Sequence, residues 1–352
     1  MRIVANPASR SVPAPQYAFL AFATSSPNMA AYRWDFSSAG FGVRYSNPAT
    51  VLSSGGRDVS LPSDNAEVAF ASDNSPFVFV YPWSDSGFGT KFANPASPVN
   101  GLTGRATAFN KNGNYLAVMV NSAFANVNRV ETYNFSSSGF GSKLAIEPDP
   151  VVTSSGAALK GTWNASDSLF TVSTNGTAGA RIRIYNWNNS TTWGTVFSTP
   201  ATTPTGSGTQ SNFNPSASDV AISHETAPYV TAYPYTTSYG TKYANPATAI
   251  TGNGEGVSWS RDGSAIAVAH NSSPYLSVYA WSSGFGTKYA DPSSGPGNTS
   301  TAVDWSKDGK ILVGESNSPY VAAWEWNAGF GTKMSAPSST PETIVYGVKF
   351  SN

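Results

Sequence analysis

The stretch SPYLSVYAWSSGFGTK at residues 273–288 decides how this chain folds, because it recurs along the sequence. One unit later, residues 318–333 read SPYVAAWEWNAGFGTK, and one unit earlier, residues 227–242 read APYVTAYPYTTSYGTK. An aromatic residue before the second glycine marks seven copies, 45 to 53 residues apart: Phe41, Phe88, Phe140, Trp193, Tyr239, Phe285 and Phe330. A period of this length is typical of arrays in which each copy forms one small unit of structure.

The best-preserved copy predicts four short strands, which we call a to d. Strand a covers 257–260, strand b 266–269, strand c 274–281 and strand d 285–289. The Asp262-Gly263 pair between strands a and b is a strong hairpin signal, and no stretch keeps a helical period. The sequence therefore predicts an all-β fold, a seven-bladed β-propeller of four-stranded antiparallel blades.

The two ends of the chain predict how the ring closes. Residues 18–22 have the character of a strand b without its strand a, and residues 344–351 have that of a strand a without its strand b. The C-terminal strand should therefore complete the first blade, which closes the ring and removes the exposed edges that an open β array would have. We expect residues 17–352 to form one propeller domain and residues 1–16 an N-terminal tail or a vestigial outer strand.

Composition excludes several classes of protein. The 352 residues carry 20 basic and 20 acidic side chains and no cysteine, and 40% are hydrophobic. A net charge of zero without a basic block argues against nucleic-acid binding. The sequence also contains no run of about 20 apolar residues, the length needed to span a membrane. The first residues lack the apolar core of a signal peptide. Because there is no cysteine, disulfides and thiolate metal sites are also excluded.

The Ser-x-Asp-Gly turns at 260–263 and 306–309, with the Trp- and Tyr-rich third strand, resemble those of the WD-repeat superfamily of propellers. The Trp-Asp pair itself occurs once, at Trp34-Asp35. The narrower motif GFGTKYANPAT, which the copies carry as close variants, resembles repeats of virion proteins from tailed bacteriophages. This resemblance implies a non-enzymatic virion structural or attachment protein on the tail, neck or head surface. Its expected partners are other virion proteins, with a host surface glycan or protein as a further one.

Three other functions stay open at the level of sequence. A lectin-like propeller would bind carbohydrate, and a cellular scaffold would bind proteins. A propeller hydrolase would need two carboxylates in one cleft, and the scattered acidic residues suggest no such pair. The sequence therefore predicts no catalytic residue and no cofactor.

The marker aromatics have two interpretations, as sugar-stacking platforms or as packing between blades. Packing is favoured because Phe285 and Tyr289 share one strand face with the small Thr287 between them. Six copies also carry a cation two residues after the second glycine: Arg44, Lys91, Lys143, Lys242, Lys288 and Lys333. These cations could protect the outer strand edges or form an anion-binding ring, and we favour edge protection because strand d is the outermost strand of a blade.

His224 and His270 occupy equivalent positions after strand b, but two histidines alone make a poor zinc site. The longer d–a and b–c loops share one face of the predicted disc, and they are the expected interaction surface. They comprise residues 53–57, 121–128, 174–180 and 202–208. The candidate contact residues are Arg57, Asn121, Phe124, Asn126, Asn128, Thr174, Asn175 and Thr205.

Overall fold

The computed structural model describes residues 18–24, 28–35, 40–121, 129–144, 158–176, 179, 181–188 and 193–351. Its strands form seven antiparallel sheets, six of four strands and one of three. The proposed N-terminal tail, 1–16, lies outside these residues. Within the described ranges, no helix is long and apolar enough to cross a membrane.

The first three sheets are built as follows. Sheet 1 contains β1 (Ala18–Thr24), β2 (Met29–Asp35), β3 (Gly40–Arg44) and β27 (Val345–Phe350). Sheet 2 contains β4 (Gly56–Ser60), β5 (Glu67–Ser72), β6 (Val78–Ser84) and β7 (Gly87–Phe88). Sheet 3 contains β8 (Thr103–Phe109), β9 (Tyr115–Asn121), β10 (Arg129–Ser136) and β11 (Gly139–Lys143).

The other four sheets repeat this order. Sheet 4 contains β12 (Ala158–Trp163), β13 (Leu169–Thr174), β14 (Ile182–Trp187) and β15 (Trp193–Val196). Sheet 5 contains β16 (Gly208–Phe213), β17 (Asp219–His224) and β18 (Val230–Pro234). Sheet 6 contains β19 (Gly254–Trp259), β20 (Ala265–His270), β21 (Leu276–Trp281) and β22 (Phe285–Lys288). Sheet 7 contains β23 (Ser300–Trp305), β24 (Lys310–Glu315), β25 (Val321–Trp326) and β26 (Phe330–Lys333).

The prediction of four antiparallel strands per copy is confirmed for six sheets and is wrong for sheet 5, which has three strands. There the fourth strand is reduced to an isolated bridge between Tyr235 and Tyr239. Pro234 provides a physical reason, because proline has no amide hydrogen to donate to an outer strand. The same position in sheet 2 is Pro82, and β7 beside it is only 2 residues long.

The C-terminal strand closes the ring as predicted. β27 pairs with β1 in antiparallel register, with Leu20 opposite Phe350 and Phe22 opposite Val348. The innermost strand of each sheet contacts the innermost strand of the next, and β27 contacts both β23 and β4. The innermost strands therefore surround a common centre.

Tryptophans at the ends of innermost strands join neighbouring sheets. Trp163 Nε1 donates to the carbonyl oxygen of Ala108 at 3.0 Å. Trp305 Nε1 makes the equivalent bond to Ser258 at 3.2 Å. A buried indole thus fills the space between two sheets while its only polar atom is satisfied by the neighbouring backbone.

Candidate functional site

The innermost strands of all seven sheets line a central cavity of about 480 Å³. This volume falls within the usual range of small-molecule sites. The cavity extends toward the turns between strands a and b, because Ser63, Lys111, Ala165 and Arg261 from those turns are part of its wall. It therefore lies toward the face opposite the loops that the sequence predicted as an interaction surface.

One register position of the innermost strands determines the cavity's chemistry. Sheets 2, 4 and 5 have polar residues at this position, namely Asp58, Lys160 and Gln210. The other four sheets have small residues there: Ala106, Gly256, Ala302 and Gly347. The glycines allow close packing of the polar side chains, because a Cβ at Gly347 would lie 3.0 Å from Asp58 Oδ1 and one at Gly256 would lie 3.2 Å from Gln210 Oε1.

Asp58 and Lys160 form an ion pair inside this ring. Asp58 Oδ1 lies 3.5 Å from Lys160 Nζ, and the two side chains are only 14% and 16% exposed. Lys160 Nζ also donates to the carbonyl oxygen of Tyr346 at 3.0 Å. Since Lys160 and Tyr346 belong to sheets 4 and 1, this lysine spans the centre of the ring.

The environment of Asp58 raises the pKa of its carboxyl group. Burial raises its pKa above the usual range for aspartate, and the Lys160 ammonium and the Thr107 backbone N–H offset part of this effect. A desolvated carboxyl with one cation beside it is a common arrangement for acid–base chemistry.

Two further carboxyl groups stand on neighbouring innermost strands. Asp304 accepts a hydrogen bond from the Phe350 backbone N–H at 2.9 Å and lies 3.3 Å from Lys349 Nζ, so it is held firmly in place. Glu255 sits one residue before the ring position described above. Its pKa is raised by burial and then by the charge of Glu225, and it is lowered by Lys160.

The cavity wall has a surplus of positive charge. Four cations line it, namely Lys111, Lys160, Arg261 and Lys349, whereas its carboxylates are Asp58 and Asp304. A cleft with such a surplus attracts anionic and strongly polar ligands.

This grouping of charged side chains could not be recognised in the sequence, where the acidic residues are scattered. Asp58 and Asp304 come from sheets 2 and 7, far apart in the chain, and only ring closure makes them neighbours of one cavity. A usable signal did exist, because charged residues stand inside strand-a segments where packing alone would favour small or apolar ones.

The structure places the predicted interaction residues in different environments, from exposed to fully buried. Asn121 and Asn175 are half-buried and exposed, respectively, whereas Thr174 is fully buried. Thr205 is exposed, and its hydroxyl donates to the carbonyl oxygen of Ala227 at 2.6 Å. The remaining candidates in residues 122–128 lie outside the described residues: Phe124, Asn126 and Asn128.

The marker aromatics take part in packing. Each of the seven hydrophobic clusters contains one of them: Phe41, Phe88, Phe140, Trp193, Tyr239, Phe285 and Phe330. Trp193 is 7% exposed and stacks on Trp163 with 5.6 Å between ring centroids. A ring held in this way has little surface left for stacking on a sugar.

Several motif cations form local contacts at the end of strand d. Lys91 Nζ donates to the side chain of Asn94 at 2.6 Å and to the carbonyl oxygen of Phe92 at 2.9 Å. Lys242 repeats this arrangement with Asn245 at 2.5 Å. The K-x-x-N part of the motif therefore stabilises the loop that follows strand d through local hydrogen bonds.

His224 and His270 are fully buried between strands. Their Nε2 atoms lie 2.9 Å from Thr231 Oγ1 and 3.0 Å from Ser277 Oγ. Burial lowers the pKa of each imidazole to about 4. In the described part of the chain, no group of three or more His, Asp or Glu residues could hold a metal ion.

Comparisons with known proteins identify the fold. No protein-family model and no curated protein sequence matches the chain. A candidate 6-phosphogluconolactonase from Bacteroides uniformis is 12% identical with a TM-score of 0.71, over 95% of this chain and 99% of that one. A periplasmic gluconolactonase from Pseudomonas aeruginosa is 13% identical with a TM-score of 0.70, over 96% and 99%. At this identity the similarity shows a β-propeller fold alone.

These structural neighbours contradict the prediction of a non-enzymatic phage virion or attachment protein. These two propellers are described as lactonases rather than as virion components. A second candidate 6-phosphogluconolactonase, from Bacteroides fragilis, is 12% identical with a TM-score of 0.70, over 97% of this chain and 99% of that one. The prediction went wrong because a local motif that fastens strand d was taken as a sign of the protein's role.

Proposed function

We propose that this protein is a hydrolase that opens the ring of a small lactone in its central cavity. Asp58 would act on water, and Lys160 would stabilise the negative charge that develops on the carbonyl oxygen. The observation that carries this proposal is the Asp58–Lys160 pair, 3.5 Å apart and mostly buried, on the wall of a cavity of ligand size. The lactonase descriptions of propellers with the same fold support the choice of substrate class.

The reaction requires one base and one cation. The Asp58 carboxylate removes a proton from water as the water oxygen bonds to the lactone carbonyl carbon. Lys160 stabilises the resulting oxyanion, an interaction that a low-dielectric cavity strengthens. When the ring C–O bond breaks, protonated Asp58 returns the proton to the leaving oxygen, which yields a hydroxy acid and restores the carboxylate.

The other cavity residues have supporting roles in this proposal. Asp304 is fixed by the Phe350 N–H and Lys349, so it keeps the wall in place rather than moving protons. The surplus of cations suits a reaction whose product is a carboxylate.

We also propose that sheet 5 counts as a blade, which makes the propeller seven-bladed. Its innermost strand β16 contacts β12 on one side and β19 on the other, like the innermost strands of the four-stranded sheets. The Tyr235–Tyr239 bridge then stands for its missing outer strand.

The test is a pH-stat assay that measures hydrolysis of gluconolactone and of its 6-phosphate by wild type and by Asp58→Asn. We expect wild type to exceed the spontaneous rate and the variant to lose at least about 100-fold, the usual contribution of a general base. Asp85→Asn, which changes an exposed aspartate of the same sheet, is the matched control and should keep full activity. Wild type without activity on any lactone, or an Asp58→Asn variant that is folded and fully active, would reject the proposal.

A further inference from the structure

A second group of charged side chains lies at the other end of the innermost strands. Arg57 and Arg105 follow Gly56 and Gly104 at the same register position of the neighbouring strands β4 and β8. Neither arginine belongs to the cavity wall, which begins at the next residue, Asp58. The pair therefore stands on the d–a loop side of the ring.

Arg57 is held in place by two partners. Its Nε donates to Asp73 Oδ1 at 2.7 Å, and its guanidinium lies 4.7 Å from the centre of the Tyr346 ring. The charge of Arg57 is thus matched by Asp73, and its orientation is fixed before any ligand arrives.

Arg105 is in a different situation. Its Nε atom is buried and has no hydrogen-bond partner in the described part of the chain. Burial, and then the positive charge of Arg57, lowers the pKa of its guanidinium, whereas Asp73 raises it. Leaving a buried donor unsatisfied is unfavourable, and placing two cations together adds repulsion. Arg57, Arg105 and Asp73 together keep one uncompensated positive charge.

We propose that Arg105 and Arg57 form an oxyanion site at the d–a loop end of the innermost strands, which binds the phosphate or carboxylate group of a small molecule. A guanidinium presents its N–H groups in a planar fork that fits either group. One negative charge would satisfy the Arg105 donors and neutralise the surplus. The site differs from the lactone site, because neither Arg57 nor Arg105 is part of the cavity wall.

The test is NMR of arginine Nε–H groups during titration with sodium phosphate at constant ionic strength. The Arg105 signal, assigned from its loss in Arg105→Gln, should shift saturably in the millimolar range. Arg183 is the internal control, because its Nε is also buried without a partner in the described residues but it lies on β14, the third strand of sheet 4, and not on an innermost strand. A parallel titration with sodium acetate shows whether the site prefers phosphate or carboxylate.

The outcomes separate this proposal from the proposed lactonase. We expect Arg105→Gln to abolish the response of Arg57, and Asp58→Asn to leave the response of both arginines unchanged. An Arg105 signal that does not move in either anion, or that drifts without saturation as the Arg183 signal does, would overturn the oxyanion site. Neither result depends on whether any lactone is hydrolysed.

Discussion

At the scale of single residues, Lys160 connects the innermost strands of three sheets at the centre of the molecule. Its ammonium group lies beside Asp58 and bonds to the Tyr346 carbonyl across the ring. Lysine is suited to this place because a long flexible stem lets one point charge reach two sheets at once. Removing it would leave the Asp58 carboxyl desolvated without its counter-ion.

A pH profile tests this dependence. Lysine lowers the pKa that burial raises in Asp58, and hydrolysis by the proposed mechanism needs the carboxylate. The acidic limb of kcat/KM should therefore lie above the pH expected for an ordinary aspartate, and Lys160→Met should move it to higher pH. Lys91→Met, which removes a lysine at the end of a strand d, should leave the limb in place. An acidic limb that stays unchanged in Lys160→Met would show that Asp58 is not the titrating base.

The buried histidines should make the fold sensitive to acid. In the folded state the pKa of His224 and of His270 is lowered to about 4 by burial, from 6.5. Between those values the unfolded chain binds more protons, so stability should fall as pH decreases from about 6.5 to 4. The full shift would correspond to about 3 kcal/mol per histidine. Urea unfolding of a His224→Thr, His270→Ser double variant should lack most of this slope.

Glu315 occupies the equivalent position in sheet 7 and should act in the opposite direction. Burial raises the pKa of its carboxyl to about 7, from 4.5, and its strand-c neighbour is Ala322 rather than a hydroxyl residue. The folded state therefore holds the proton longer than the unfolded state, and stability should fall as pH rises from about 4.5 to 7. Glu315→Gln should remove this loss, so between about pH 4.5 and 6.5 its unfolding free energy should rise more steeply with pH than that of wild type, because only the opposite contribution of the two histidines remains. A pH dependence that is unchanged in Glu315→Gln would contradict the assignment.

At the scale of strands, proline in strand c shortens the pairing of strand d. The backbone of this position faces the outer strand, since the Gly240 N–H donates to the Pro234 carbonyl oxygen at 2.8 Å. A residue with an amide hydrogen at position 234 would add a donor on the same side. Sheet 6 has Ala280 there and forms a 4-residue strand d.

Pro234→Ala should therefore extend the outer strand of sheet 5. We expect slower hydrogen exchange for the amides of residues 239–243 and a gain of up to about 1 kcal/mol in unfolding free energy, the usual value of one hydrogen bond. The amides of β22 in sheet 6 serve as the internal reference and should exchange at their original rates. Unchanged exchange at 239–243 would mean that proline is not what shortens the strand.

At the scale of the whole molecule, stability depends on closing the ring. Phe350 on β27 is fully buried and meets Trp34 edge-on at 5.0 Å, so it joins the two ends of the chain. Loss of this contact would weaken pairing with β1 and open an inner edge of the ring.

Phe350→Ala should lower the free energy of unfolding by about 3–5 kcal/mol, the usual cost of removing a buried phenyl ring. The transition should stay cooperative, because every sheet packs between two others. Val43→Ala, at a site that is 65% exposed, should change stability by less than about 0.5 kcal/mol. Urea denaturation followed by tryptophan fluorescence measures both. A loss below about 1 kcal/mol for Phe350→Ala would show that closure contributes little.

The sequence by itself determined the repeat, the strand order within a copy and the closing role of the C-terminal strand. These features are local or periodic, because alternation along a strand, an Asp-Gly turn and an interrupted repeat can all be recognised in neighbouring residues. It also suggested a packing role for aromatics such as Trp193, through their spacing on one strand face.

Only the tertiary structure brought the candidate site together. Asp58 and Lys160 are separated by two repeats, and Lys160 and Tyr346 by most of the remaining chain, so no local pattern connects them. Their meeting is set by the curvature of a closed ring, which directs one register position of every innermost strand toward a single centre. The pKa of Asp58 follows from the same cause, because desolvation depends on what surrounds a carboxyl in space rather than on its neighbours in the chain.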